Sequence, residues 1–331
     1  MFGRLLGRVK PEPLELTYRQ YFRIAFIADI HFGETRAVFP NEFELSDGQV
    51  VLANEAQKIL YNHWIRVSKL LDKYKVHCIC LPGDLIAGTN NLEGGRFLNP
   101  HRIPEQIRGV VDLLSPICRD RKVLIWRGTG YHEYPKGVGE VHEEIAQRLK
   151  ANGVDVEFQG LHSYIELQGP KRTRRIFVAH ESPQYLVYPP NLAARDIQWA
   201  IMSEANGSTL AVDAIFRAHL HTWFHLDYMG KHAVQLPCWL AHSPYKQTSK
   251  YFFRLQPTIG AALLLVDEEG RMDIWGGSYP WCLPKEEKIA LHKACVKVKP
   301  LNYTTMPEQE VIAPESESIK LKGQGPVLTA I

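Results

Sequence analysis

The chain has 331 residues, of which 45% are hydrophobic and 23% are charged, as is ordinary for a soluble globular protein. Its net charge of +3, from 39 basic and 36 acidic residues, excludes a global field strong enough to gather nucleic acid by itself. Its apolar runs, such as residues 260–266, fall far short of the roughly 20 residues that a membrane-spanning helix needs, so we expect no membrane segment.

The beginning of the chain and its cysteines indicate the cellular compartment. Residues 1–20 carry basic side chains but no sustained apolar segment and no cleavage site, so we predict an N-terminal arm without a secretory signal. The six cysteines lack the spacing of a disulfide framework, and Cys78 and Cys80 alternate within an apparent strand. Reduced thiols are typical of the cytosol, and we therefore expect a cytoplasmic protein.

The next part of the chain predicts a β-α-β unit. A buried strand at residues 22–28 ends at the motif that begins with Asp29, and a helical pattern from about residue 51 to residue 74 follows it. A second strand, residues 76–81, leads to Asp84. A right-handed crossover between parallel strands would bring both carboxylates to the same edge of a sheet, where ligands bind in such folds.

Strands and helices continue to alternate, and the second half is mainly β. Helices are predicted near residues 104–117, 138–151 and 192–205. The further predicted strands are residues 123–126, 154–158, 164–167, 176–179, 214–217, 224–228, 233–236, 261–266 and 271–275. We therefore predict an α/β fold with two facing sheets and outer helices.

The end of the chain loses this periodicity. From about residue 284 the apolar pattern fades, and residues 307–326 are rich in Glu, Ser, Gly and Pro. We predict three parts: an N-terminal arm at residues 1–20, a main domain at residues 21–283, and a partly disordered C-terminal extension at residues 284–331.

Histidines and carboxylates follow the predicted strands in a fixed order. Two divalent metals about 3.5 to 4 Å apart need a bridging carboxylate together with imidazole and carboxylate ligands from separate loops on one rim. Each motif alone occurs by chance in many chains, but the set as a whole indicates a two-metal hydrolase. The residues are Asp29, His31, Asp84, His132, His180, His219 and His221.

In this order the motifs resemble those of the calcineurin-like metallophosphoesterase superfamily: Asp-x-His, Gly-Asp, Gly-Asn-His-Asp/Glu, His and Gly-His-x-His. The resemblance runs from about residue 22 to residue 275 and implies a four-layer sandwich of two mixed sheets flanked by helices. It implies that His132 protonates the leaving oxygen or stabilises the transition state. It also implies that Asp29, His31 and His221 bind one metal, that His180 and His219 bind the other, and that Asp84 bridges the two.

The chain departs from the family pattern in two places. The glycine before the first histidine of the last motif is Ala218, which should matter only if that backbone must take a positive φ. The asparagine that ligates the second metal is replaced by Tyr131 in one alignment. In another alignment Gly128 takes the place of the motif glycine, and the Thr129 hydroxyl approaches the asparagine position. The two alignments remain open, and we expect Glu133 to contact a histidine.

The sequence therefore predicts a dinuclear metal-dependent phosphoesterase that uses metal-activated water. Imidazole and carboxylate ligands without thiolates favour Mn, Fe, Zn or Ni, and we expect manganese. The resemblance points to a phosphodiester substrate, preferably nucleic acid or a nucleotide, and a phosphomonoesterase such as a phosphoprotein phosphatase is the enzymatic alternative. A metal-free or single-metal binding scaffold is the alternative of another class, supported only by the Tyr131 departure. The sequence does not indicate a protein partner.

Overall fold

The computed structural model describes residues 20–90, 94–133, 140–181, 190–241 and 257–279. All but one residue of the predicted N-terminal arm, and the whole predicted C-terminal extension, lie outside these ranges. The proposed domain boundaries therefore stay predictions.

The described residues contain strands in both halves of the chain and four α-helices. The strands are β1 (Gln20–Phe26), β2 (Glu42–Glu44), β3 (Val50–Leu52), β4 (Cys78–Pro82), β5 (Lys122–Trp126), β6 (Val156–Phe158), β7 (His162–Gln168), β8 (Thr173–Ala179), β9 (Ala214–Arg217), β10 (Phe224–Tyr228), β11 (Lys231–Gln235), β12 (Ile259–Asp267) and β13 (Met272–Tyr279). The helices are α1 (Glu55–Lys73), α2 (Ile103–Cys118), α3 (Val141–Ala151) and α4 (Pro190–Ala205).

The larger strands build two mixed sheets. The first has the order β13-β12-β1-β4-β5-β6, in which β1, β4, β5 and β6 run parallel and β12 and β13 are antiparallel to their neighbours. The second has the order β10-β11-β9-β8-β7, with parallel pairs at its centre and an antiparallel hairpin at each edge. Strands β2 and β3 form a separate antiparallel pair.

The two sheets lie face to face between helices. Side chains of β1 alternate: Ile24 and Phe26 belong to the core between the sheets, whereas Ala25 and Ile27 belong to the core under the helices. A strand buried on both faces reads as a continuous apolar run, as this one does. The Phe26 ring stacks on Phe216 of β9, with centroids 3.9 Å apart and planes at 5°.

Helices cover both outer faces. Helices α1, α2 and α3 contribute buried side chains to the core on the outer face of the first sheet. Helix α4 packs against β10 and β11 of the second sheet through Ala193 and Ile197. The predicted α/β fold, a four-layer sandwich of two mixed sheets flanked by helices, is confirmed. Within the described ranges, no helix combines the length and the apolar character needed to cross a bilayer.

Helix α1 begins four residues later than its apolar periodicity predicts. The Asn54 side chain accepts from the Gln57 backbone N–H at 2.9 Å, and the Gln57 side chain accepts from the Asn54 backbone N–H at 3.1 Å. This reciprocal capping box fixes the beginning of the helix at Glu55. Val51, which we assigned to the helix, pairs with Phe43 in the β2–β3 hairpin instead.

The crossover through α1 places the first two motifs side by side. Strands β1 and β4 pair in parallel, as predicted. Beyond their last paired residues, Asp29 N–H donates to Gly83 O at 3.3 Å and His31 N–H donates to Asp84 O at 3.0 Å. The two carboxylates therefore meet at the carboxyl edge of the first sheet.

Candidate metal centre

The backbone of the site turns sharply at the motif residues. Within the described ranges, nine non-glycine residues have positive φ, and five of them belong to the predicted set. Such residues are uncommon, because the left-handed region crowds Cβ, and they concentrate at functional sites. The five are Asp29 (52°), His31 (49°), Asp84 (49°), His219 (75°) and His221 (60°). Ala218 does not share this conformation, so alanine in place of the family's glycine costs no backbone strain there.

These turns set the directions in which the Asp29 and His31 side chains point. Residues two apart in a regular strand point to the same face, but the motif residues lie beyond the strand ends, where only the local turn decides their direction. The turn at Asp29 and His31 brings Oδ1 of the first within 3.7 Å of Nε2 of the second. His221 Nε2 comes from the other sheet and lies 3.2 Å from the same Asp29 oxygen and 3.1 Å from His31 Nε2. One carboxylate and two imidazoles thus converge on one point.

Asp84 lies at the centre of the remaining contacts. Its Oδ2 is 3.0 Å from His180 Nε2 and 3.6 Å from His132 Nε2. Its Oδ1 accepts the Thr129 backbone N–H at 2.7 Å, and the Thr129 hydroxyl lies 3.1 Å from both carboxylate oxygens. The side chain is 2% exposed. A single buried carboxylate is therefore shared by two histidines and a hydroxyl.

Two of the histidines have a tautomer set by backbone carbonyls. His180 Nδ1 lies 2.7 Å from Pro82 O, and His132 Nδ1 lies 2.8 Å from Ala87 O. A carbonyl oxygen only accepts, so each Nδ1 carries the proton and each Nε2 faces the centre. A metal-ligating histidine usually donates the N–H of its other ring nitrogen to a carbonyl or carboxylate oxygen in this way.

Two buried polar atoms support a cation at this centre. Asp29 Oδ1 and His180 Nε2 make no hydrogen bond of acceptable geometry among the described residues, although His221 Nε2 and Asp84 Oδ2 lie 3.2 and 3.0 Å from them, and the two atoms lie 4.0 Å apart. Leaving such groups unpaired costs free energy, so buried charged groups are paired or coordinate metals. A carboxylate and imidazole donor set without thiolates suits borderline divalent transition metals. The residues present therefore fit the metal ions that the motif order predicts.

The ligand atoms form three overlapping groups. In each, one atom per residue lies within 4.8 Å of the others. The first group is Asp29, His31 and His221, the second is His31, Asp84 and His132, and the third is Asp84, His180 and His219. His31 and Asp84 each belong to two of the three groups, so the candidate ligand groups adjoin one another.

Burial and the neighbouring charges together shift the pKa values of Asp84, His180 and His31. Burial alone would raise the pKa of Asp84, but His132 and His180 hold it well below its usual range. Burial alone would lower the pKa of His180, but Asp84 and Asp29 raise it to about 9. Burial and the neighbouring His132 lower the pKa of His31. A cation between Asp84 and His180 would replace the proton that their attraction otherwise holds.

Two glycines are required for this packing. A Cβ on Gly83 would lie 2.6 Å from His180 Nδ1, and a Cβ on Gly128 would overlap the Asp84 carboxylate. The lack of a side chain at Gly128 therefore leaves room for Thr129 beside Asp84. Tyr131 is 56% exposed, and its ring centre lies 6.2 Å from that of His132 in an edge-on arrangement.

Glu133 contacts a histidine to which the sequence analysis assigned no role. Its Oε1 lies 2.5 Å from Nδ1 of His142, which lies in α3 and is fully buried. His142 Nε2 accepts the backbone N–H of Leu85, the residue after Asp84, at 3.2 Å. No local signal marks His142, because it lies inside a helix and 57 positions from the residue it contacts.

The fold and this centre define a class of protein: an α/β sandwich with a buried carboxylate and imidazole cluster at the rim of its sheets. No protein-family model matches the sequence, and no curated protein matches it either. Solved structures that it resembles include a phosphodiesterase from an archaeon, a dimetal phosphatase from Danio rerio and Vps29 with zinc from Entamoeba histolytica.

These similarities are distant. The archaeal phosphodiesterase is 9% identical, with 77% of this chain and 100% of that chain covered and a TM-score of 0.40. The Danio rerio phosphatase is 12% identical, with 78% and 96% covered and a TM-score of 0.40. Vps29 with zinc is 12% identical, with 78% and 99% covered and a TM-score of 0.35. At these identities and TM-scores the likeness carries no argument about family or activity.

Proposed function

We propose that the chain is a dinuclear metal-dependent phosphoesterase that hydrolyses a phosphodiester, preferably of nucleic acid or a nucleotide. The observation that carries this proposal is the meeting of seven predicted side chains from both sheets around two unpartnered buried atoms. A purely structural cluster has no reason to leave a carboxylate oxygen and an imidazole nitrogen unsatisfied in the interior.

The residues would divide between two cations. Asp29, His31 and His221 would hold one, His180 and His219 would hold the other, and Asp84 would lie between them. When bound, the cations would supply Lewis acidity, which makes water nucleophilic at neutral pH and neutralises charge on the phosphoryl group. We expect manganese, with iron, zinc or nickel as alternatives.

The surroundings of His132 support a role in proton transfer. Its Nδ1 is held by Ala87 O, its Nε2 faces the centre, and its side chain is 18% exposed, whereas those of Asp84 and His180 are 1–2% exposed. A substrate could therefore reach His132 while the deeper residues stay covered. We propose that Nε2 of the protonated imidazole donates its proton to the departing oxygen.

The rim beside His31 favours a nucleic-acid substrate over a phosphoprotein. Thr35 N–H donates to Phe97 O at 2.8 Å, so the loop after His31 lies against the loop that carries Phe97. The guanidinium groups of Arg36 and Arg96 lie 5.3 and 6.0 Å from the Phe97 ring centre. Guanidinium groups next to an aromatic ring suit a strand that offers both phosphates and bases, and exposed Tyr131 adds a second ring near His132.

Hydrolysis of two small esters tests the activity. With Mn²⁺, we expect the wild type to hydrolyse bis-p-nitrophenyl phosphate faster than p-nitrophenyl phosphate. Asp84→Asn should lose turnover and bound metal together. His132→Ala should lose about 10²–10⁴-fold in turnover, the usual contribution of a general acid, and keep its metal. His63→Ala, on α1 away from the site, is the matched control.

Each other outcome has a defined meaning. Preference for the monoester would favour the phosphatase, whereas no turnover on either ester, or close to zero divalent ion in protein purified without chelator, would favour the scaffold. Loss of metal in His132→Ala would make His132 a ligand.

A separate assay tests the substrate class. Arg36→Ala combined with Arg96→Ala should raise KM for a single-stranded oligonucleotide and leave small-ester turnover unchanged. Arg66→Ala combined with Lys69→Ala removes the same charge from α1 and serves as the control. An equal effect of both pairs would contradict a nucleic-acid rim.

A cytoplasmic location is also proposed. Its support is that Cys78, Cys80, Cys118 and Cys238 form no disulfide with one another in the part of the chain that the structure describes.

A further inference from the structure

A buried histidine outside the predicted set of metal ligands accepts a hydrogen bond from the backbone next to Asp84. His142 is fully buried at the start of α3, and Glu133, only 4% exposed, lies on the loop that carries His132. His142 Nδ1 lies 2.5 Å from Glu133 Oε1, and the other oxygen of Glu133 accepts the Val141 backbone N–H at 2.6 Å. The pair therefore connects the loop after β5 to the first turn of α3.

The hydrogen bonds define the tautomer of His142. Leu85 N–H can only donate, so His142 Nε2 is the unprotonated acceptor of their 3.2 Å contact. The proton of the neutral ring is then on Nδ1, where it donates to the Glu133 carboxylate. Among the described residues, Arg127 also approaches this carboxylate, with Nε 4.0 Å from Oε1.

The contact matters because of the peptide group it holds. Asp84 has a left-handed φ of 49°, which an L-residue adopts only when its surroundings impose it. The peptide group after Asp84 is held on both sides: its C=O accepts the His31 N–H at 3.0 Å, and its N–H donates to His142. Loss of either contact would release the turn that directs the Asp84 carboxylate toward His180 and His132.

We infer that His142 and Glu133 form a positioning pair that holds Asp84 in its left-handed turn and so sets the affinity of the centre for divalent cations. The geometric part stands on the contacts above, and the part about cations rests on the proposed function. Residues that orient a metal ligand in this way typically contribute 10- to 100-fold to metal affinity.

Two substitutions separate positioning from bulk. His142→Leu puts an apolar side chain of similar size in place of the imidazole, which leaves the Leu85 N–H without its acceptor and Glu133 without its donor. His142→Gln retains one acceptor and one donor, so it should restore part of what leucine removes. His63→Leu, a histidine replacement on α1, is the control.

The first measurement uses metal-free protein, so it does not depend on the proposed function. Proton–nitrogen correlation spectra of the imidazoles should show His142 as the Nδ1–H tautomer, and amide exchange at Leu85 should be slow in the wild type. We expect His142→Leu to accelerate Leu85 exchange by at least tenfold and His63→Leu to leave it unchanged. An Nε2–H tautomer, or unchanged Leu85 exchange in His142→Leu, would overturn the inference.

The second measurement is the dissociation constant of Mn²⁺, determined by electron paramagnetic resonance. We expect it to rise 10- to 100-fold in His142→Leu, to rise less in His142→Gln, and to stay unchanged in His63→Leu. Equal affinity in all three variants would refute the effect on the cation site. If the wild type bound none of Mn²⁺, Fe²⁺, Zn²⁺ and Ni²⁺, the proposed function would fail, and the tautomer and the Leu85 exchange would still decide the positioning role.

Discussion

The Asp84 carboxylate accepts a hydrogen bond from the Thr129 hydroxyl. The resemblance predicts an asparagine amide, bound to the second metal, in this loop. Thr129 offers Asp84 both a backbone N–H and a side-chain O–H, and Tyr131 instead extends toward solvent. Thr129, rather than Tyr131, therefore contacts Asp84. A hydroxyl already engaged with Asp84 is a poorer metal ligand than an amide oxygen, so we propose that the second cation binds more weakly than the first.

Replacement of Thr129 by valine tests the value of this contact. Thr129→Val keeps the side-chain shape and the backbone N–H but removes the hydroxyl, and it should destabilise the metal-free protein by about 1.5–3 kcal/mol, as for a hydrogen bond to a charged group. Urea denaturation in the presence of a chelator measures the change. Thr173→Val, at an exposed position in β8, should stay within about 0.5 kcal/mol of the wild type, and an equal loss in both variants would contradict the prediction.

Replacement of Tyr131 by asparagine tests the other alignment. Because its ring is largely exposed, Tyr131→Asn should change stability by less than about 0.5 kcal/mol and remove no bound metal. Elemental analysis of the purified variant, beside the wild type, measures the metal content. Loss of one equivalent of metal would show that Tyr131 is a ligand.

At the scale of elements, α2 is joined to the β2–β3 hairpin by one buried carboxylate. Glu105 in the first turn of α2 accepts the Ser46 backbone N–H at 2.9 Å and pairs with Arg108 at 2.7 Å. The Arg108 guanidinium also lies 4.4 Å from the centre of the Phe43 ring. Burial opposes the ionised form of Glu105, but Ser46 and Arg108 prevail and lower its pKa to about 2.

This junction should make stability depend on acid pH. A carboxylate whose folded-state pKa is depressed stabilises the fold above its unfolded pKa of about 4.5, and the effect is lost as pH falls toward 2. The stability difference between the wild type and Glu105→Gln should therefore be largest above pH 4.5 and shrink steadily below it. Urea denaturation at pH 7, 4.5 and 3 checks this. Glu55→Gln, which removes an exposed pair with Lys58, is the control, and a difference independent of pH would refute the assignment.

At the scale of the whole molecule, the site depends on how the two sheets pack. Asp29, His31 and Asp84 follow strands of the first sheet, whereas His180, His219 and His221 follow β8 and β9 of the second. The stacked rings of Phe26 and Phe216 join the sheets directly below these loops. The geometry of the centre is therefore a property of the interface between the sheets.

Truncation of this stack should destabilise the whole domain. Phe26→Ala and Phe216→Ala should each lower the free energy of unfolding by about 3–5 kcal/mol, the usual cost of emptying a buried aromatic site. The double variant should lose less than the sum, because the two rings contact each other. Thermal and urea unfolding measure both effects. Met202→Ala on the exposed face of α4 should change little, and strict additivity in the double variant would argue against a shared contact.

Much of this architecture could be predicted from local pattern alone. The apolar periods located the main helices and strands to within a few residues, and strand ends with Asp or His indicated which loops carry the chemistry. Such signals work because a residue's side-chain period and its strand-end position are local properties. The predicted start of α1 was wrong because the side-chain cap of Asn54, rather than the apolar period, determines where the helix begins.

The sequence by itself determined the order of the elements, the parallel β1–α1–β4 unit and the motif residues near the rim. Only the tertiary structure decided that Thr129 rather than Tyr131 contacts Asp84, and that His142, 57 residues from Leu85, holds the peptide next to it. The physical reason is that these contacts join segments far apart in the chain. They depend on left-handed turns and close approaches at Gly128, which arise only when two sheets and a helix pack together.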